Sequence, residues 1–310
     1  MPPPLLFSLP MPNDSPNDSL RELRNGWLGG LLMQSFKPLI VLALLSAACA
    51  HTGPRESFIA GPSGSIRVSD CGRGAALPIL FVHGNGANLT QWQAQLDHLR
   101  LSRRAIALDL RGMGQSAVPM NGDYSIAAMA SDVATVADAL RLKRFVIVGH
   151  SYGGGVVAAY VAAHPERIAA VVFADSAGNV TMPKEAGEKF IAALRRNKDA
   201  VVKAWFAPIL ENASDPVRDA VLASVHATSV DALTGALLGL AAHDAGADVR
   251  AFKGPRLAII AAGLAKNPSS FHSQFPEVPS RQMEGVSHWL MMDKPDEFNR
   301  ILDEFLATVR

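Results

Sequence analysis

The sequence has almost no charge excess: 29 lysines and arginines stand against 28 aspartates and glutamates, a formal net charge of +1, with the basic residues scattered along the chain. Neither nucleic acid nor an anionic surface is therefore implied as a partner. Cysteine is also scarce. Only Cys49 and Cys71 are present, and they could pair in an oxidising compartment only if Cys49 survived in the mature chain. No apolar run reaches the roughly 20 residues that a membrane-spanning helix needs. What the chain does have is core-forming material: 49% of its residues are hydrophobic and 18% charged, a balance that excludes general disorder.

The segment Lys37-Pro-Leu-Ile-Val-Leu-Ala-Leu-Leu-Ser-Ala-Ala-Cys-Ala50 has a positive charge, a short apolar run and small residues at its end, the layout of an export signal. Ala48-Cys-Ala50 suits cleavage after Ala50. Leu-Ser-Ala-Ala-Cys49 instead resembles a lipoprotein box, with Ser46 in the usual leucine position. The expectation is export, with a periplasmic, secreted or Cys49-lipidated, membrane-attached product; an N-terminal amphipathic or core helix in a cytoplasmic protein is the alternative. Residues 1–32 are rich in Pro, Asn, Asp and Ser, and Met33 sits where a signal would begin. That stretch reads as a mis-assigned start or a disordered leader, and residues 1–50 are set apart as leader and signal.

From Phe58 onward, short apolar or β-branched runs alternate with longer helical stretches, which predicts a mainly parallel sheet with helices on both faces. Phe58–Ala60 and Ser65–Ser69 read as an opening hairpin. Strands are predicted at 78–83, 104–109, 144–149, 168–174, 256–262 and 280–283, with helices near 91–101, 126–140, 153–163 and 295–309. Between Asn179 and Lys253 only helical pieces occur. This divides the chain into a core, 55–178 with 254–310, and an inserted helical cap, 179–253. Within the cap Trp205, Phe206, Leu237 and Leu238 suggest an apolar pocket wall, with packing of the cap against the body as the alternative.

Gly149-His-Ser-Tyr-Gly153 matches G-x-S-x-G directly after an apolar strand and directly before a helix. The chemistry needs that context. Glycines permit the sharp turn that lifts the Ser151 hydroxyl above the sheet, and the following helix aims its N-terminal amides at the same spot. His83-Gly-Asn-Gly-Ala-Asn88 follows an earlier strand and resembles the His-Gly turn that completes an oxyanion hole in α/β-hydrolases, a resemblance that implies the backbone amides of Asn85 and Tyr152 as the donors. Gly285-Val-Ser-His288 lies between the last strand and last helix. His288 is the last of nine histidines and sits in a loop, whereas His164, His226 and His243 fall in helical patterns.

With these motifs, Phe58 to Arg310 resembles an α/β-hydrolase with a helical cap, and Asp109-Leu-Arg-Gly-Met-Gly-Gln-Ser116 resembles that superfamily's Asp-x-Arg-Gly-x-Gly-x-Ser turn, in which Asp109 and Arg111 read as structural. The resemblance implies the α/β-hydrolase fold, with Ser151 as nucleophile and His288 as general base. The usual acid position is missing, since Gly263-Leu-Ala-Lys-Asn-Pro268 holds no carboxylate. Some relatives place the acid one strand earlier, which makes Asp175 the third triad member, ahead of Asp244, Asp248 and Asp293. The implied activity is cleavage of an ester-like bond of a small, apolar molecule through an acyl-enzyme, with no metal or organic cofactor and no protein partner. Carbon–carbon bond hydrolysis, lactone or amide cleavage and cofactor-free perhydrolysis use the same constellation, and a non-catalytic receptor shares the fold. Serine at 151 argues against a haloalkane dehalogenase, whose nucleophile is a carboxylate.

Overall fold

A computed structural model describes residues 55–265 and 270–310. The leader, the export-signal segment and Cys49 lie outside the described residues, as does Arg55's side chain. The strands are β1 (Arg55–Gly61), β2 (Gly64–Cys71), β3 (Ile79–Val82), β4 (Ala105–Leu108), β5 (Phe145–His150), β6 (Ile168–Ala174), β7 (Arg256–Ala261) and β8 (Ser280–Met283). They form one sheet in the order β1-β2-β4-β3-β5-β6-β7-β8. The predicted hairpin is present, antiparallel from Arg55↔Asp70 to Gly61↔Gly64, and β2 pairs antiparallel with β4. Every other pairing is parallel.

Strand residues alternate between two cores because successive side chains point to opposite faces. Leu80, Val82, Ile147, Val171 and Phe173 enter one cluster, and Ile79, Phe81, Val146, Val148 and Val172 the other. Helices α1 (Gln93–Leu99), α2 (Ile126–Ala139) and α3 (Tyr152–Ala163) connect the strands up to β6. Five helices then separate β6 from β7: α4 (Lys184–Arg196), α5 (Lys198–Phe206), α6 (Asp215–Ala227), α7 (Val230–Ala241) and α8 (Ala245–Ala251). Among the described residues the segment between β6 and β7 holds helices and no strand. Its α5 follows α4 almost without a break because Asn197 caps it, its Oδ1 accepting from Ala200 N at 3.1 Å. Short α9 (Phe271–Gln274) and α10 (Leu290–Asp293) precede the closing α11 (Pro295–Leu306).

Beside the C-terminal edge of the sheet a buried polar frame holds the loops. Asp109 Oδ1 accepts from Leu89 N at 2.7 Å, and its Oδ2 accepts from Gln115 N at 2.8 Å and Arg67 Nη1 at 3.2 Å. Arg111 forms a two-pronged pair with Asp132, at 2.6 and 2.7 Å, and donates to the carbonyls of Asp123 and Ala128. Asp109 and Arg111 therefore serve the fold, as their turn implied. Arg111→Met would leave the Asp132 carboxylate buried without its counter-charge, so urea denaturation should show a loss of about 3–5 kcal/mol. An unchanged midpoint would refute this role.

Two fully buried histidines, His83 and His150, sit at neighbouring strand ends. Burial lowers the pKa of His83, opposed by the Asp109 charge and the Gly84 hydrogen bond. Burial lowers that of His150 well below 6.5, and the nearby His288 adds to the effect. Both have a folded pKa below the unfolded value near 6.5, so as the pH falls through that value the unfolded state binds more protons. Stability is then fully present above about pH 6.5 and falls with acidification, by about 1.4 kcal/mol per pH unit for each histidine that remains neutral. Urea midpoints at neutral and mildly acidic pH should show this decline, and a flat profile would contradict it.

Candidate active site

The elbow is built where the motif placed it. β5 ends at His150, α3 begins at Tyr152, and Ser151 between them has φ 51° and ψ −120°. That conformation is strained for a residue with a Cβ, at a level of about 1–3 kcal/mol, and persists because the surroundings over-determine it. Ser151 N donates to Ala174 O at 3.1 Å, and its carbonyl accepts from Gly154 N at 2.9 Å and Ala177 N at 3.2 Å. The flanking glycines are required by close approach. A Cβ on Gly149 would lie 2.5 Å from the Gly153 carbonyl oxygen, and one on Gly153 would lie 2.5 Å from that of His83.

Asp175 follows β6 and also has a positive φ, 38°. Its N–H donates to Ile259 O at 2.7 Å, and its Oδ1 accepts from Ala261 N at 3.1 Å, so backbone and side chain are both tied to β7. The remaining oxygen, Oδ2, lies 2.6 Å from His288 Nδ1. A carboxylate only accepts, so Nδ1 carries the proton and Nε2 is left as the basic nitrogen. The other acids are occupied elsewhere. Asp244 caps α8, Asp248 pairs with His243 at 2.6 Å, and Asp293 binds the N–H and hydroxyl of Ser287 at 2.7 and 2.6 Å, bracing the turn just before His288.

Ser151, His288, Asp175 and Asn85 line one cavity of about 140 Å³, walled by Trp205 and Phe206. Ser151 and His288 face the same cavity without a direct hydrogen bond between Oγ and the imidazole. Among the described residues, no backbone carbonyl takes up the N–H of Asn85 or Tyr152, which leaves both donors available. Two expectations for the pocket wall are corrected. Leu237 is buried in the packing between cap and body, and Leu238 is 43% exposed, so neither lines the cavity. The reason is that α7 lays its inner face on α2, α3 and α4 and on the loop after β3, away from the cavity.

His150 is the residue that sequence reasoning passed over. Its Nε2 lies 2.9 Å from the His288 carbonyl oxygen, which makes Nε2 the protonated nitrogen and holds the histidine loop to the elbow strand. Its Nδ1 is buried without a partner, and the two imidazole rings stand 4.7 Å apart. Its only sequence signal was its place before the serine. Trp289 closes the same wall, stacked on Phe206 with ring centres 5.7 Å apart.

Comparison with known proteins agrees with this architecture. A family profile described as alpha/beta hydrolase fold matches residues 78–226. The chain is 35% identical over 127 residues to the 2-hydroxymuconate semialdehyde hydrolase of a Pseudomonas species, covering 40% of this chain and 44% of that one. It is 37% identical over 145 residues to the non-heme chloroperoxidase of Streptomyces lividans, covering 43% and 52%. These matches span about half the length of the curated relatives. Among solved structures, a thermophilic esterase from Thermogutta terrifontis superposes with a TM-score of 0.71 at 24% identity, covering 82% of this chain and 98% of that one. With its elbow, its eight-stranded sheet and this pattern of matches, the chain has the alpha/beta hydrolase fold.

Proposed function

We propose that the protein is a serine esterase acting on small, uncharged esters. The observation that carries this reading is the 2.6 Å contact between Asp175 Oδ2 and His288 Nδ1 at a cavity that Ser151 also lines. In the proposed mechanism, His288 Nε2 removes the Ser151 proton as Oγ attacks the ester carbonyl. The Asn85 and Tyr152 amides hold the oxygen that becomes negative, and the proton passes from Nε2 to the departing alcohol. Water, deprotonated by the same nitrogen, then releases the acyl group. Asp175 fixes the tautomer and stabilises the imidazolium without taking the proton.

The lining supports an uncharged substrate. Among the described residues it contains Trp205, Phe206, Ile209, Val180 and Leu264, an apolar wall against which the hydrocarbon part of a small ester can be buried. Carbon–carbon bond hydrolysis uses the same constellation and is the second reading, and the Pseudomonas relative is a 2-hydroxymuconate semialdehyde hydrolase rather than a named esterase.

A fluorophosphonate probe should label Ser151 and fail to label Ser151→Ala; an adduct on another residue would overturn the assignment. Hydrolysis of p-nitrophenyl esters should be fastest from acetate to hexanoate and poor for palmitate. Asp175→Asn should leave the fold intact yet lower kcat by about ten-thousandfold. Asp244→Asn, Asp248→Asn and Asp293→Asn should stay within a few-fold of the parent. The reverse ranking would place the acid elsewhere.

A further inference from the structure

The loop that follows β3 does not hold its shape alone. Asn85 Nδ2 donates to the Leu233 carbonyl in α7 at 2.9 Å. Ser224 of α6 donates from Oγ to the Gly86 carbonyl at 2.9 Å and accepts from Asn88 Nδ2 at 2.9 Å. Thr228 Oγ1 approaches the same Gly86 carbonyl at 3.5 Å. Gly86 has φ +70°, and a Cβ there would lie 2.8 Å from Leu233 Cδ2 and 3.2 Å from Val225 Cγ2. The loop backbone is therefore pressed directly onto the two cap helices. The cap also reaches the other side of the site, where the His288 N–H donates to the Ile209 carbonyl at 3.0 Å.

We propose that Ser224, a cap residue outside the cavity lining, is a positioning residue that sets the oxyanion hole: its hydroxyl bridges Gly86 and Asn88 and so fixes the direction of the Asn85 N–H. This rests on the reading of Ser151 as nucleophile and the Asn85 amide as oxyanion donor. The physical argument is one of satisfied polar groups. Ser224 is 9% exposed, and without its hydroxyl the Gly86 carbonyl and Asn88 amide lose a partner in a site with little water to replace it. The loop then relaxes, and an amide must point within a narrow range to stabilise a developing oxyanion. The cap thus contributes to turnover as well as to the pocket wall, and displacing α6 and α7 would dismantle the hole.

The test uses purified full-length protein and p-nitrophenyl butyrate. Alanine keeps α6 helical, so Ser224→Ala should fold, with kcat lowered about ten- to hundredfold and KM changed by no more than about twofold. Inactivation by a fluorophosphonate should slow in parallel, because the phosphonyl oxygen occupies the same hole. Amide exchange in the peptide spanning residues 84–88 should accelerate. Ser224→Thr, which keeps the hydroxyl, should restore the rate. Thr234→Val should leave it unchanged, since Thr234 Oγ1 donates only within α7, to the Val230 and Asp231 carbonyls. Parent-like kcat in Ser224→Ala, or equal slowing in Ser224→Ala and Thr234→Val, overturns the proposal while leaving the nucleophile assignment standing. Undiminished hydrolysis by Ser151→Ala overturns both.

Discussion

The carboxylate of Asp175 joins the end of β7 to the histidine loop. One oxygen is held by the Ala261 amide at the end of β7, and the other reaches the His288 imidazole. A free carboxylate at a strand end would turn toward solvent; this one is 8% exposed and has both oxygens engaged. Its backbone accepts a positive φ to make that possible. The strain at Asp175 and at Ser151 lies at the ends of adjacent strands, β6 and β5, and the hydrogen bond from Ser151 N to Ala174 O ties one to the other. The sheet therefore acts as a ruler: parallel pairing of β5, β6 and β7 fixes the spacing at which the serine, the acid and the histidine loop can meet.

Around that axis the histidine loop is held from three directions. Asp175 takes the imidazole, His150 donates to the His288 carbonyl, and Ile209 accepts the His288 N–H. Asp293 supplies a fourth hold one residue earlier, through Ser287. A residue fixed by side chain, carbonyl and amide loses little further freedom on reaching a reactive geometry, which is the physical content of preorganisation. The neutral state of His150 belongs to the same design, since a second charged imidazole with its ring 4.7 Å from that of His288 would oppose the charge that His288 is proposed to develop.

The cap has two jobs that its composition does not distinguish. Trp205 and Phe206 face the cavity, whereas Leu237 packs inward and Leu238 meets solvent. All four are large apolar residues on helices, and helical periodicity identifies a buried stripe without saying what buries it. The stripe of α7 is consumed by α4 of the insertion, by α2 and α3 of the body and by the loop after β3. For the same reason the hydrogen bonds from Ser224 to that loop have no counterpart in local sequence pattern.

The strands, the elbow and the insertion were legible in the sequence because each rests on a local rule: period-two burial on both faces, glycines where a Cβ would strike backbone, and the absence of strand-like runs from Asn179 to Lys253. Asp175 became a candidate only through the family resemblance, in which some relatives carry the acid one strand earlier, because Gly263 to Pro268 offers no carboxylate. What only the tertiary structure decided was which other polar groups face one another across long stretches of chain: His150 against the His288 carbonyl, and the loop after β3 against α6 and α7. Such contacts depend on how strands are ordered in the sheet and how the cap settles on it. Hydrogen-bond partners distant in sequence leave no periodicity for a linear reading to detect, so the sequence determined which residues could serve a site, and packing determined which of them meet.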